Sequence, residues 1–199
     1  MWKEFKFHRL DERDGDLQVR LATKDDAKLI SNYFCKNKEY LRRWEPVRED
    51  AFFTELGWKK KLIKLNELHL LELGFYCLII NRVTGDMLGT ISFSNLTRFP
   101  LHSCNVGYSL DENAQGNGIM RKALGLACDW MFKVQNMHCI NASYMPENNK
   151  SASVLKARGF EQIGFAKDYL LIDGKWEDHY LTALINTEWR EKNDKRQTG

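Results

Sequence analysis

The 199-residue chain has no run of about 18 or more consecutive apolar residues, which excludes a hydrophobic membrane-spanning helix. Its opening, Met1-Trp2-Lys3-Glu4-Phe5-Lys6, lacks the apolar stretch and small-residue cleavage site of a secretion signal, so a cytoplasmic protein with no membrane attachment is expected. Cysteine is sparse. Cys35, Cys77, Cys104, Cys128 and Cys139 are odd in number, contain no C-x-x-C pair and have no Cys/His spacing of a zinc site. They read as reduced, mostly buried small apolar residues, and no metal is expected. Neither sign of charge dominates. A net charge of +3 is too small for a general nucleic-acid-binding surface. Three basic clusters, Arg42-Arg43, Lys59-Lys60-Lys61 and the tail at 190–196, leave open a weak contact with phosphates or a solvated face.

What is present suffices for one core: 43% of the residues are hydrophobic and 12% aromatic, and two full domains would be cramped. Residues 17–21 alternate as a half-buried strand, and Thr23 with Asp26 has the spacing of a capping box that opens a helix. Phe52, Phe53, Leu56, Leu62, Ile63 and Leu65 predict a helix running to about position 73, where Gly74 stops it. Residues 75–80 and 87–96 predict a hairpin around Thr84-Gly85-Asp86. A strand at 105–110, a loop at 111–117 and a helix beginning near Ile119 follow, then a strand at 138–145 and a short helix at 151–158 ended by Gly159. The last pair, 160–172 and 176–185, flanks Asp173-Gly174, a hairpin-turn dipeptide. Helices and strands intermix without repeat or linker. The expected fold class is therefore α/β (α+β): one domain with a mixed, mostly antiparallel twisted sheet flanked by helices.

The segment Gln115-Gly116-Asn117-Gly118-Ile119-Met120 lies between a strand and a helix. Glycines there let the backbone turn sharply and approach a ligand, and the amides and dipole of a helix N-terminus attract phosphate. Two glycines in a loop are also ordinary turn residues. A Walker A loop is excluded because no Gly-Lys-Ser/Thr follows at the required spacing. A dinucleotide fingerprint is disfavoured by Met120 in place of a third small residue and by the absence of an acidic residue about 20 positions on.

With Asn148, Ser151, Leu155, Gly159 and Phe160 added to Gln115, Gly118 and Met120, the sequence resembles the GCN5-related N-acetyltransferase (GNAT) superfamily. That family's signature is Gln/Arg-x-x-Gly-x-Gly/Ala, then Asn-x-x-Ser and Gly-Phe after a short helix. Met120 departs from it, which requires its side chain to point away from the cofactor or the loop to sit slightly differently. Trp44-Glu45-Pro46-Val47-Arg48, Tyr144-Met145-Pro146 and the stretch 166–174 resemble the ribosomal-protein-alanine N-acetyltransferases of the RimJ type, and the resemblance runs from about 17 to 189. It implies an N-terminal extension at 1–16, an acetyltransferase domain at 17–189 and a flexible charged tail at 190–199.

The resemblance further implies acetyl-CoA as co-substrate, held by a splayed pair of parallel strands. Its pantetheine arm would pair with Val106, Gly107 and Tyr108 by strand addition, its pyrophosphate would sit on the amides of Gln115, Gly116, Asn117, Gly118, Ile119, Met120 and Arg121, and Asn148 would face the pantetheine. Arg121 or Lys122 would pair with phosphate unless each is merely a solvated helix residue. The acceptor implied is the N-terminal α-amine, alanine, of a small-subunit ribosomal protein, free or in the assembling subunit, attacking directly in a ternary complex, with the basic clusters open to a weak contact with rRNA. A small-molecule amine as acceptor, or a non-catalytic acyl-CoA-binding module of ribosome assembly, are the alternatives. Many relatives place a tyrosine donor where Leu155 stands here, so Ser151, one helical turn earlier, takes the acid role beside its alternative as a helix-capping hydroxyl. Glu45 and Asp168 are unranked candidates for the base, with His179 a further titratable residue. Trp44, Phe52, Phe53 and Trp58 line an acceptor groove or belong to the core.

Overall fold

The computed structural model describes residues 9–190. Eight strands form one sheet in the order β1-β2-β3-β4-β5-β6-β8-β7. They are β1 (Asp11–Asp14), β2 (Leu17–Leu21), β3 (Phe75–Asn81), β4 (Met87–Thr97), β5 (Ser103–Leu110), β6 (Cys139–Tyr144), β7 (Glu161–Ile172) and β8 (Lys175–Ile185). All neighbours run antiparallel except β5 and β6. The helices are α1 (Ala27–Lys36), α2 (Lys38–Arg42), α3 (Glu55–Leu70), α4 (Ile119–Lys133) and α5 (Asn149–Ala157). This is the mixed, mostly antiparallel α/β sheet expected, and no helix among the described residues is long and apolar enough to cross a membrane.

Strand periodicity explains why helices cover both faces. Successive side chains of a strand point to opposite sides. On β3, Cys77 and Ile79 join a core with β4, β5 and α4, in which Leu124, Ala127 and Met131 are fully buried. Leu78 and Ile80 face the other way and join Ile30, Phe34, Trp58 and Leu62 of α1 and α3. The unbroken apolar run of β3 is what a strand buried on both sides needs.

Three local details differ from the sequence reading. Residues 11–14, Asp-Glu-Arg-Asp, form a fully exposed edge strand against β2, so the sheet begins before position 17. They carry no apolar alternation by which a strand is recognised. The capping box of Thr23 and Asp26 is present but closes a single 3-10 turn ahead of α1. The helical period read from Phe52 onward is divided: Asp50–Phe53 is a 3-10 turn, and α3 starts only after Thr54, whose hydroxyl accepts the Gly57 amide at 3.0 Å.

Candidate active site

The β5–β6 ladder ends at Asn105↔Asn141, although β5 continues to Leu110 and β6 to Tyr144. Beyond that point β5 stays with β4 and β6 with β8, so the two parallel strands part like a wedge. The facing backbone groups are left without ladder partners, a state that calls for another polar chain or water. A cavity of about 710 Å³ lies at the mouth of the wedge, bordered by the end of β5, the loop after it, the start of α4 and the start of α5.

One wall is the loop between β5 and α4. It is anchored by Asp111, which is 4% exposed and accepts from Lys36 at 2.6 Å, Asn37 at 3.1 Å and the Asn113 amide at 2.9 Å. Burial pushes this carboxyl's pKa up, yet those donors together hold it below the usual value. Gly116 and Gly118 then adopt φ of 81° and 70°, the left-handed region, and a Cβ added to either would meet nothing within 4 Å. The backbone turn demands glycine there, and the space in front of it is open. Among the described residues no side chain caps α4, whereas Thr54 caps α3 and Asn148 caps α5. The first amides of α4 therefore border the cavity without a protein partner, with the positive end of the helix dipole behind them. Met120, the second residue of α4, is 5% exposed and packs in the main core, while the part left accessible borders the cavity.

The opposite wall is the start of α5. The Asn148 side chain accepts the Ser151 amide at 3.0 Å, so Asn148, and not Ser151, is the cap. The Ser151 hydroxyl lies 2.8 Å from the Tyr108 phenol. Lys150 donates to the Gln115 side-chain oxygen, and the Gln115 amide donates to the Tyr40 hydroxyl, so α5, the loop and α2 meet across the cavity. On the floor, Ser109 shares hydrogen bonds with Tyr33 at 2.9 Å and Thr90 at 3.0 Å.

Glu45 borders this cavity and also a second one of about 350 Å³, lined by Phe34, Lys38, Arg42, Phe52, Phe53 and Asp173 among others. Burial raises the Glu45 pKa against the pull of Arg48, 3.3 Å away, and of Lys61. A raised carboxyl at the join of two cavities suits a general base. Its loop is held by the β7–β8 turn: the Asp173 amide donates to the Glu45 carbonyl at 3.0 Å. Burial and the Arg48 charge in turn lower the Lys61 pKa to about 8.

The cavity thus brings together Glu45, Tyr108, Gln115, Gly116, Gly118, Ile119, Met120, Arg121, Asn148 and Ser151 of the residues named from sequence. Trp44 borders it as well, and the others do not. Val106 is buried in the core, Gly107 is exposed, and Asn117 turns its amide to the Gln115 carbonyl at 3.3 Å. Asp168 sits exposed in a bulge of β7 at φ 48°, its amide bonded to the Asp178 carboxylate at 2.8 Å, away from both cavities. Arg121 borders the cavity, whereas Lys122 does not and points to Asp14 at 3.6 Å. His179 is buried, bonded to the Glu177 carbonyl at 2.9 Å. Trp58 is 1% exposed core, while Trp44 borders the larger cavity and Phe52 and Phe53 the smaller. The basic clusters are partly spent within the chain: Arg42 on Asp173, Lys59 on Glu55 and Lys61 over the Phe52 and Trp58 rings. Residues 191–196 of the basic tail lie outside the described residues. Tyr40, Ser109 and Lys150 were missed. Lys150 is legible between Asn148 and Ser151, but Tyr40 arrives from 75 residues before Gln115 and leaves no local signal.

A splayed parallel pair with a glycine loop and an uncapped helix at its mouth defines an acyl-CoA-dependent transferase fold. The family model described as the acetyltransferase (GNAT) domain matches residues 16–161, and the chain belongs to that family. It is 41% identical over 173 residues to the [ribosomal protein uS5]-alanine N-acetyltransferase of Escherichia coli K12, covering 87% of this chain and 89% of that one. Among solved structures it is similar to the ribosomal-protein-S5-alanine acetyltransferase of Vibrio fischeri, with 50% identity, TM-score 0.88 and coverage of 90% and 98%. It is also similar to Mycobacterium smegmatis RimJ in complex with CoA-disulfide, with 28% identity, TM-score 0.80 and coverage of 85% and 81%.

Proposed function

We propose that this chain moves the acetyl group of acetyl-CoA to the N-terminal α-amine of a ribosomal protein, with alanine first and uS5 the leading acceptor. The observation that carries the reading is the join of two cavities at Glu45. One is built for a pantetheine and pyrophosphate, the other stands ready for an acceptor segment on the far side of the base. Relatives at 41% and 50% identity, named for alanine acetylation on this ribosomal protein, supply the acceptor class.

The cofactor fits the residues present. The parted edges of β5 and β6 offer backbone groups to the pantetheine amides, and the open φ-positive glycines and uncapped α4 offer amides to the pyrophosphate. When bound, the thioester supplies an activated acetyl group. Glu45 holds the carboxylate that takes the amine proton, directly or through one water. An N-terminal amine has a pKa near 8 against about 10.4 for lysine, so presenting it neutral costs about 3 kcal/mol less. Ser151 places a hydroxyl donor in the cofactor cavity for the departing sulfur. No covalent intermediate on the protein is required.

Thiol release from acetyl-CoA, measured with peptides beginning with alanine and with the same peptides blocked at the N-terminus, tests this reading. Release with only the free peptides, and one acetyl on the first residue by mass spectrometry, is expected. Release with blocked peptides, or acetylation of an internal lysine, would overturn it.

A further inference from the structure

Two hydroxyls in the cofactor cavity, those of Tyr108 and Ser151, are hydrogen-bonded to each other. The Tyr108 phenol lies 2.8 Å from the Ser151 hydroxyl and 3.3 Å from the Ser151 carbonyl. A serine in a helix ordinarily spends its proton on the carbonyl one turn back, and Ser153, two residues on, does so with Asn149 at 2.8 Å. Ser151 makes no such bond among the described residues; its hydroxyl is partnered by Tyr108 alone. Tyr108 is itself fixed, since its strand is paired to β4 through Ile91↔Tyr108, and its ring packs against the main core.

Each hydroxyl has one proton. If the phenol donates to Ser151 Oγ, the serine proton is released from this pair and aims into the cavity that both side chains line. If the phenol donates to the Ser151 carbonyl, the serine proton points back at Tyr108. A developing thiolate in the cavity favours the first arrangement, because only that one gives it a donor.

We infer that Tyr108 is a positioning residue that turns the Ser151 hydroxyl toward the leaving sulfur, so that phenol, serine and sulfur form one directed chain of donors. This deepens the acetyl-transfer reading and rests on it. In the step, the amine nitrogen bonds to the acetyl carbon and the carbon–sulfur bond breaks. The electron pair stays on sulfur, the amine proton leaves toward Glu45, and no proton need pass from either hydroxyl. Their contribution is a hydrogen bond that strengthens as charge gathers on sulfur. Burial raises the Tyr108 pKa, so the phenol remains a neutral donor throughout the working range.

The experiment is a cycle of Tyr108→Phe, Ser151→Ala and the double variant, read two ways. Steady-state kinetics with an alanine peptide should show kcat down about tenfold for each single variant with KM for acetyl-CoA nearly unchanged, as one hydrogen bond to a charged group is worth. The double variant should be no slower than Ser151→Ala alone. The second reading needs no acceptor: the thiol of bound CoA is titrated by the ultraviolet absorbance of its thiolate. It should titrate about one pH unit below a free thiol near 8.5 in the wild type, and rise in both single variants. The other ionisable groups at the cavity, Tyr40, Glu45, Arg121, Glu147 and Lys150, are unchanged in all three proteins. Full additivity of the two substitutions, or an unshifted thiol in the wild type, would overturn the inference. A shifted thiol with no peptide acetylated by the wild type would instead sink the acceptor reading and leave the Tyr108–Ser151 relation standing.

Discussion

Arg42 donates from Nε to Asp173 Oδ1 at 3.0 Å, joining residues 131 apart in sequence. Arg42 ends α2 and Asp173 occupies the β7–β8 turn at φ 43°, followed by Gly174 at φ 80°, the pair of left-handed residues a tight hairpin uses. The Asp173 amide also holds the Glu45 carbonyl. The hairpin tip therefore clasps the loop that carries the proposed base. An exposed ion pair of this kind adds little to stability. Arg42→Ala should leave the melting temperature almost unmoved while lowering kcat several-fold, because the clasp on the Glu45 loop then rests on the Asp173 amide alone. Paired thermal melts and kinetics check it, and a loss of stability matching the loss of rate would make the clasp purely structural.

Glu45 predicts the acid limb of the rate profile. It works as a base only when ionised, and burial has raised its pKa, so kcat/KM should rise with pH through a value above that of an ordinary carboxylate. Glu45→Gln should lower kcat/KM by about 10²-fold or more and flatten that limb. The stability consequence runs the other way. Because the folded carboxyl holds its proton more tightly than the unfolded one, the cost of ionising it is absent below the unfolded pKa and complete above the folded one. A limb that survives in Glu45→Gln assigns the base elsewhere.

Most of the lining of the larger cavity was legible, whereas of the smaller one only Glu45, Phe52 and Phe53 were. Gln115, Gly118, Asn148 and Ser151 sit within two short segments whose spacing is set by one loop and one helix start, so local chemistry reveals them. Asp168 shares that visibility in sequence, but a β7 bulge between Ala166 and Leu170 turns it out of the site, and a bulge has no signature in hydrophobic alternation. The second cavity is assembled from α1, α2, the 45–53 segment and a hairpin turn near the other end of the chain. No spacing rule joins those segments; only the packing of α1 and α3 on the sheet does. The edge strand Asp11–Asp14 was hidden for a related reason, since a fully exposed strand has no buried face to pattern.

Lys61 makes a prediction about stability alone. Its ammonium stands over Phe52 and Trp58 at 4.7 and 4.6 Å, partly buried beside Arg48, with its pKa lowered to about 8. Below that pH the folded chain carries a charge it holds less favourably than the unfolded chain does. As pH rises through about 8 the folded form sheds the proton first, so stability increases until the unfolded lysine also titrates near 10.5. Lys61→Met should therefore stabilise the protein at pH 7 by about 1 kcal/mol after allowance for solvent screening, and remove this rise with pH. Denaturant unfolding at pH 7 and 9.5 reads both effects, and a destabilised variant would mean that the stacking on the two rings outweighs the burial of the charge.

Gly118 separates backbone strain from ligand contact. At φ 70° an alanine costs about 1–2 kcal/mol, yet its Cβ would meet nothing within 4 Å in the free protein. Its steric cost should therefore appear only with cofactor bound, where the added methyl occupies the space in front of the amide cradle. Gly118→Ala should lose the stability that strain predicts and, in addition, raise Kd for CoA at least tenfold. Gly85→Ala, at φ 76° in the distant β3–β4 turn and equally open, provides the control: the same class of strain with no change in CoA binding. Calorimetric titration of both variants with CoA decides the matter, because equal affinities would place the pyrophosphate away from Gly118 and leave the loop a turn like any other.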